Sequence, residues 1–166
     1  MIELGDKSDC ICKKYNSKPK GCINEYEISE KGKSIKLVPR NSSEKVTTII
    51  IDKCIITDEK TKCDALFLYN NSKKISFLVE LKGAGEIHKA FSQLSYTRDK
   101  RKEYQDIITK FKKMDTKKLY ERFIIVSNGI LSKTKKEKLE KEHRIRVYAI
   151  LSSEATKPIP NLRDYI

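Results

Sequence analysis

Asp64, Glu80 and Lys82 are the residues whose types and spacing could carry chemistry. Glu80 and Lys82 close the apolar run FLVELKG, residues 77–83. Side chains two apart leave a strand on the same face, so the acid and the ammonium group converge on one point. Asp64 opens the preceding apolar run, CDALFLY. A hairpin turning around YNNSKK sets the start of one strand opposite the end of the next, which makes Asp64 and Glu80 neighbours across the ladder. Two carboxylates about 4 Å apart repel by ~4 kcal/mol at an effective dielectric of about 20. A shared proton, a basic neighbour or a divalent cation must offset that repulsion.

Hard oxygens are what Mg²⁺ prefers, and it commonly takes one or two protein carboxylates and fills the rest of its shell with water and phosphate. Asp64, Glu80 and the backbone carbonyl of Leu81 would supply such a face, with Mn²⁺ as a substitute ion. A metal there acidifies a bound water and neutralises charge building on a phosphate. Lys82, aimed at the same point, would orient or help deprotonate that water, or stabilise a pentacovalent phosphate. Two other acid-x-Lys triplets occur, Asp58 to Lys60 and Asp115 to Lys117. Neither ends an apolar strand with an acid placed on the strand before it.

The elements that must position these groups follow from periodicity. KVTTIIIDKCII, KCDALFLY and KISFLVELKG are β-branched or apolar and predict three strands joined as an antiparallel meander. After Gly83 and Gly85, Ile87, Ala90, Phe91 and Leu94 follow the spacing of a buried helical stripe. Tyr104, Ile107, Ile108 and Phe111 repeat that spacing about 80° round the axis, so the helix bends or a second one begins near Arg101. RFIIVSNG predicts a further strand closed by an Asn-Gly turn, Ser132 an N-cap for the polar helix KTKKEKLEKEH, and RIRVYAIL a last strand. The order predicts an α/β (α+β) domain with a mixed central β-sheet flanked by helices. Residues 46–151 form its core. Residues 1–45 read as an irregular N-terminal segment with a short helix or hairpin, and residues 152–166 as a loosely packed C-terminal tail.

Lys and Arg total 36 against 23 acids, a formal net charge of +13. That balance favours a polyanionic partner, nucleic acid or an anionic membrane surface. Between Arg98 and Arg146 there are 17 basic residues and 8 acidic ones, so the surplus is concentrated in the second half. No run approaches the roughly 18 apolar residues of a membrane helix, and the N-terminus lacks the apolar core of a signal peptide. The expectation is a cytoplasmic protein. Five cysteines with no secretory signal fit reduced thiols rather than a disulfide framework. A zinc site from Cys10, Cys12, Cys22, Cys54 and Cys63 is conceivable, but the paired C-x2-C elements of structural zinc are absent.

The helix after Gly85 carries a second stripe. Lys89, Gln93, Tyr96 and Lys100 lie at i, i+4, i+7 and i+11, flanking the buried face. Arg98, Lys100, Arg101 and Lys102 extend it and are placed to track a phosphate backbone. Aromatic residues are not interleaved with them in a way that predicts base stacking.

CDALFLY, FLVELKG and EIHKAFSQLSY together resemble the signature of the PD-(D/E)xK nuclease superfamily: an acid at one strand, an apolar strand ending in acid-x-Lys, then a helix. The resemblance spans residues 46 to about 151. It implies a restriction-endonuclease-like core and metal-dependent phosphodiester hydrolysis of nucleic acid, DNA ahead of RNA, by Asp64, Glu80 and Lys82. Gln93 with Tyr96 looks like the Gln-plus-Tyr helix motif of the RecB-like branch, which implies that both face the active site or the phosphate. Here Tyr96 comes one residue early. Cys63 stands where the family often has proline, and the family's glutamate from its first helix has only Glu25 and Glu27 as candidates. Cutting both strands of a duplex would call for a homodimer or a larger complex. A second reading keeps the fold without the chemistry, as a non-catalytic nucleic-acid-binding or assembly subunit. A third is a protein-binding module whose charge only solubilises it.

Overall fold

A computed structural model describes residues 2–14 and 19–166. Its centre is a five-stranded mixed sheet in the order β4-β5-β6-β7-β8. β4 (Lys45–Ile50), β5 (Ala65–Asn70) and β6 (Lys74–Leu81) form the antiparallel meander. β7 (Leu119–Val126) runs parallel to β6, and β8 (Val147–Leu151) parallel to β7. Parallel neighbours require crossovers. α1 (Ile87–Lys100) and α2 (Lys102–Lys113) make the first, α3 (Lys133–His143) the second. The fold is α+β, a mixed sheet with helices.

Both faces of the sheet are covered, which is why β5 and β6 read as nearly unbroken apolar runs rather than alternating ones. On one face Leu66, Leu78 and Ile125 pack against Phe91 and Leu94 of α1 and Tyr104 and Ile107 of α2. The chain turns at Arg101, whose extended backbone ends α1 and begins α2. A second helix, rather than a bend, therefore carries the rotated stripe. Ser132 caps α3, accepting from the Lys135 N–H at 3.2 Å.

The other face is covered by what the sequence reading leaves irregular. β1 (Cys22–Asn24), β2 (Glu27–Glu30) and β3 (Lys33–Lys36) form a small antiparallel sheet. Ile28, Ile35 and Leu37 of this segment pack on Phe67, Phe77 and Val79. These strands are only three or four residues long, too short for alternation to stand out from a polar background. Met1 and residues 15–18 of the N-terminal segment lie outside the described residues.

Two further expectations are overturned. Cys10 is disulfide-bonded to Cys54 and Cys12 to Cys22, leaving Cys63 as a free, buried thiol. Four of the five cysteines are thus neither reduced thiols nor zinc ligands, and the set ceases to argue for a reducing compartment. The C-terminal tail is docked. Leu162 is fully buried, and Arg163 pairs with Glu44, which also accepts from Tyr69. No helix among the described residues is long and apolar enough to cross a membrane.

Candidate active site

β5 begins and β6 and β7 end at one edge of the sheet, where Leu81 lies beside Val126. Asp64 sits just ahead of β5 and caps this edge, its Oδ2 accepting the Leu81 N–H at 2.7 Å. On the β5 side, beyond the last Ala65–Val79 pair, the carboxylate takes the place of a backbone acceptor for Leu81. In a strand the N–H and C=O of one residue leave toward the same neighbour, so the Leu81 carbonyl also faces the Asp64 side.

Glu80 lies on the helix side of this edge, 2% exposed. Lys82 reaches back to it, Nζ to Oε1 at 3.4 Å. Oε2 of Glu80 is buried with no hydrogen-bond partner. Burial pushes the Glu80 carboxyl up to about 7, with the Lys82 charge and hydrogen bond pulling the other way. The Asp64 carboxyl is driven well above the usual range by burial first and the Glu80 charge second. The thiol of Cys63, next to Asp64 in the chain, is pushed well up by burial first and the Glu80 charge second.

On the opposite side of Asp64 lie two acids absent from the sequence prediction. Glu30, at the end of β2, and Asp52, in the turn after β4, bring carboxylate oxygens within 4.8 Å of one another and of Asp64. Asp52 also has Lys62 Nζ at 3.5 Å. All three line a cavity of about 390 Å³ between the small sheet and the edge of the large one, with Leu81 at its wall. Glu25 and Glu27 are not in this cluster. Glu27 faces away because it alternates with Ile28, which packs on the core, whereas Glu30 shares the face of Ile28. An acid two residues from a buried isoleucine in EYEISE was the available signal.

The predicted helix residues divide. Gln93 donates from Nε2 to the Lys62 carbonyl at 3.2 Å, and its Oε1 is buried without a partner. It therefore braces the approach to Asp64 rather than lying within the carboxylate cluster. Tyr96, Lys100 and Lys102 are exposed, and Lys89 pairs with Glu86 at 2.8 Å. Arg101 does not fit a phosphate contact. It is 4% exposed and bonded to Asp58 at 2.5 Å, with Glu103 at 3.4 Å. Arg98 is half-buried, held by Asp99 at 2.7 Å and by the Arg144 carbonyl at 2.8 Å. Both guanidinium groups join elements of the fold. The remaining acid-x-Lys triplets are structural too, Asp58 through Arg101 and Asp115 through the buried Lys74 at 3.1 Å.

Compared with family models, with curated proteins and with solved structures, the chain matches none. The functional reading rests on this site alone.

Proposed function

We propose that the protein is a divalent-metal-dependent nuclease on a restriction-endonuclease-like core, hydrolysing phosphodiester bonds in nucleic acid, DNA ahead of RNA. The observation that carries this reading is the position of Asp64 between a buried, half-unpartnered Glu80 on one side and the Glu30 and Asp52 carboxylates on the other. Four acids gathered at one sheet edge, with two cations in contact among the described residues, Lys82 on Glu80 and Lys62 on Asp52, are poorly compensated without a further positive charge.

The donors fit Mg²⁺ or Mn²⁺. All are hard oxygens, and Glu80 Oε2 has an unused lone-pair side in a site too buried for bulk water to serve it. Asp64, Glu80 and the Leu81 carbonyl would hold the ion, with Glu30 and Asp52 on the open side of Asp64. A bound ion supplies Lewis acidity, lowering the pKa of a water and neutralising phosphate charge.

The chain's own residues do the rest. Leu81 N–H fixes the Asp64 carboxylate so that its other oxygen is free for the site. Lys82 Nζ, tethered by Glu80, orients the attacking water or shields the charge that gathers on the phosphorane oxygens. Gln93 holds the Lys62 carbonyl and with it the segment leading to Asp64. Exposed Lys100 and Lys102, and the basic excess around them, contribute the salt-dependent part of binding.

The test is cleavage of single-stranded, double-stranded and branched DNA and of RNA in Mg²⁺ and Mn²⁺. Asp64→Ala, Glu80→Ala and Lys82→Ala should each abolish cleavage with affinity largely kept. Wild-type protein that cuts no better than these variants removes the reading.

A further inference from the structure

We infer that the cavity beside Asp64 receives an unpaired nucleic-acid strand, gripped through its phosphates by Lys31 and Lys53. The proposal rests on the divalent ion of the nuclease reading, but not on cleavage of the strand.

Among the described residues, three other than glycine have left-handed backbones: Lys31 at φ 50°, Lys53 at φ 60° and Arg144 at φ 51°. Arg144 is explained by the fold, since it is the C-cap of α3. The other two are lysines, and both line the cavity of the Glu30, Asp52 and Asp64 carboxylates. Lys31 and Gly32, both at positive φ, form the two-residue turn between β2 and β3, where Asn or Gly at the first position is preferred. Lys53 turns the chain immediately after Asp52. A left-handed lysine costs about 1 kcal/mol or more, and here the cost is met twice at one cavity. Each of the two lysines follows an acid of the cluster, Glu30 or Asp52, and lines the same cavity.

Both lysines are exposed and make no salt bridge among the described residues. Asp52 is already served by Lys62. Two cations therefore stand at the rim of an acidic floor. That is the charge order a phosphate chain needs when a cation sits on the floor and successive phosphates lie on the rim.

The small sheet decides which strand fits. It roofs the site, and the cavity of about 390 Å³ falls in the range of small-molecule pockets, room for one nucleotide at a time. Pro19, Ile28 and Ile50 give it an apolar wall against which a base face can lie. A duplex keeps its bases between two backbones and cannot offer one to a roofed pocket without unpairing it. One site acting on one strand also requires no second copy of the chain.

The experiment measures fluorescence anisotropy of a short labelled oligo-dT and of a duplex of the same length, with Ca²⁺ present, across a salt series. Lys31→Asn and Lys53→Asn remove the charge while asparagine tolerates the left-handed backbone, so folding is kept; Lys73→Asn, exposed in the β5–β6 turn at the opposite end of the sheet from Asp64, is the control. The expected result is tighter binding of the single strand than the duplex. Each variant should weaken it several-fold and lower the log–log salt slope by about 0.7, Lys73→Asn should leave both unchanged, and Lys→Arg should restore them. Undiminished single-strand affinity in the Lys31→Asn/Lys53→Asn double variant, or a duplex bound as tightly as the single strand, overturns the proposal. Binding that behaves as expected without cleavage in Mg²⁺ or Mn²⁺ sinks the nuclease reading alone.

Discussion

Asp64 and Leu81 are joined by a 2.7 Å hydrogen bond from the backbone N–H of the residue between Glu80 and Lys82 to the carboxylate that precedes β5. The acid thus ends the β5–β6 ladder in place of a backbone carbonyl. One contact fixes the spacing of the site and completes the hydrogen bonding of the sheet edge.

Asp64→Asn separates those two roles. The amide oxygen still accepts from Leu81, while the negative charge is lost. Cleavage should fall at least about a thousandfold, the equivalent of several kcal/mol of metal-assisted stabilisation. The melting temperature of the metal-free protein should hold or rise, because a buried acid next to Glu80 has been neutralised. A large drop in metal-free stability would assign Asp64 a structural role instead.

Mn²⁺ should raise the melting temperature of the wild-type protein, by about 2.7 kcal/mol of stabilisation at a hundredfold excess over Kd. Asp64→Asn/Glu80→Gln should abolish the shift. Glu30→Gln/Asp52→Asn should reduce it by weakening the open side of the cluster. Equal shifts in all three proteins would place the ion elsewhere.

Glu44 predicts the acid limit of stability. Its bonds to Arg163, to the Arg40 N–H and to Tyr69 hold its carboxyl down to about 2, against 4.5 when free. The contribution is present above about 4.5 and is lost as pH falls toward 2, because the unfolded chain takes up the proton first. Melting curves of wild type and Glu44→Gln should differ most near neutrality and converge over that interval. A constant gap would refute the assignment.

Thiol reduction should destabilise the protein through its N-terminal segment. Loop-closure entropy assigns about 4 kcal/mol to Cys10–Cys54, with a separation of 44 residues, and about 3 kcal/mol to Cys12–Cys22, with a separation of 10. Alkylation of unfolded, unreduced protein followed by intact mass should count one free thiol, that of Cys63. Five labels would remove both bridges.

Gly129→Ala probes the support of Lys82 from a distance. A Cβ there would lie 2.5 Å from the Ala84 carbonyl oxygen, a backbone atom that cannot swing aside. The segment after Lys82 must shift, at about 1–3 kcal/mol. Turnover should fall more than substrate affinity does, as expected if Lys82 is displaced from the phosphate; kinetics that change only KM would contradict this.

The meander, the helix after Gly85 and the pairing of Asp64 with Glu80 were legible because each depends on local rules. Alternation sets the face of a strand, and a short hairpin sets its register. The chain break at Arg101 was legible too, from the rotation of the apolar stripe between Leu94 and Tyr104. Arg101 itself was misread as a surface cation. Its charge is visible in the sequence, whereas Asp58, the partner that buries it, lies 43 residues away.

By itself the amino-acid order determined an α+β core with an acid-x-Lys strand end, since the periods of strand and helix are properties of neighbouring residues. It could not determine the other side of the site. Glu30 and Lys31 come from a short, polar, weakly patterned stretch, Asp52 from the apolar run KVTTIIIDKCII, whose strand ends at Ile50, and the disulfides that secure this side join cysteines whose pairing is not encoded in spacing. Only tertiary packing decided that the small sheet would roof the edge of the large one, because that arrangement follows from burying Ile28, Ile35 and Leu37 against Phe67 and Phe77, contacts between residues far apart in the chain.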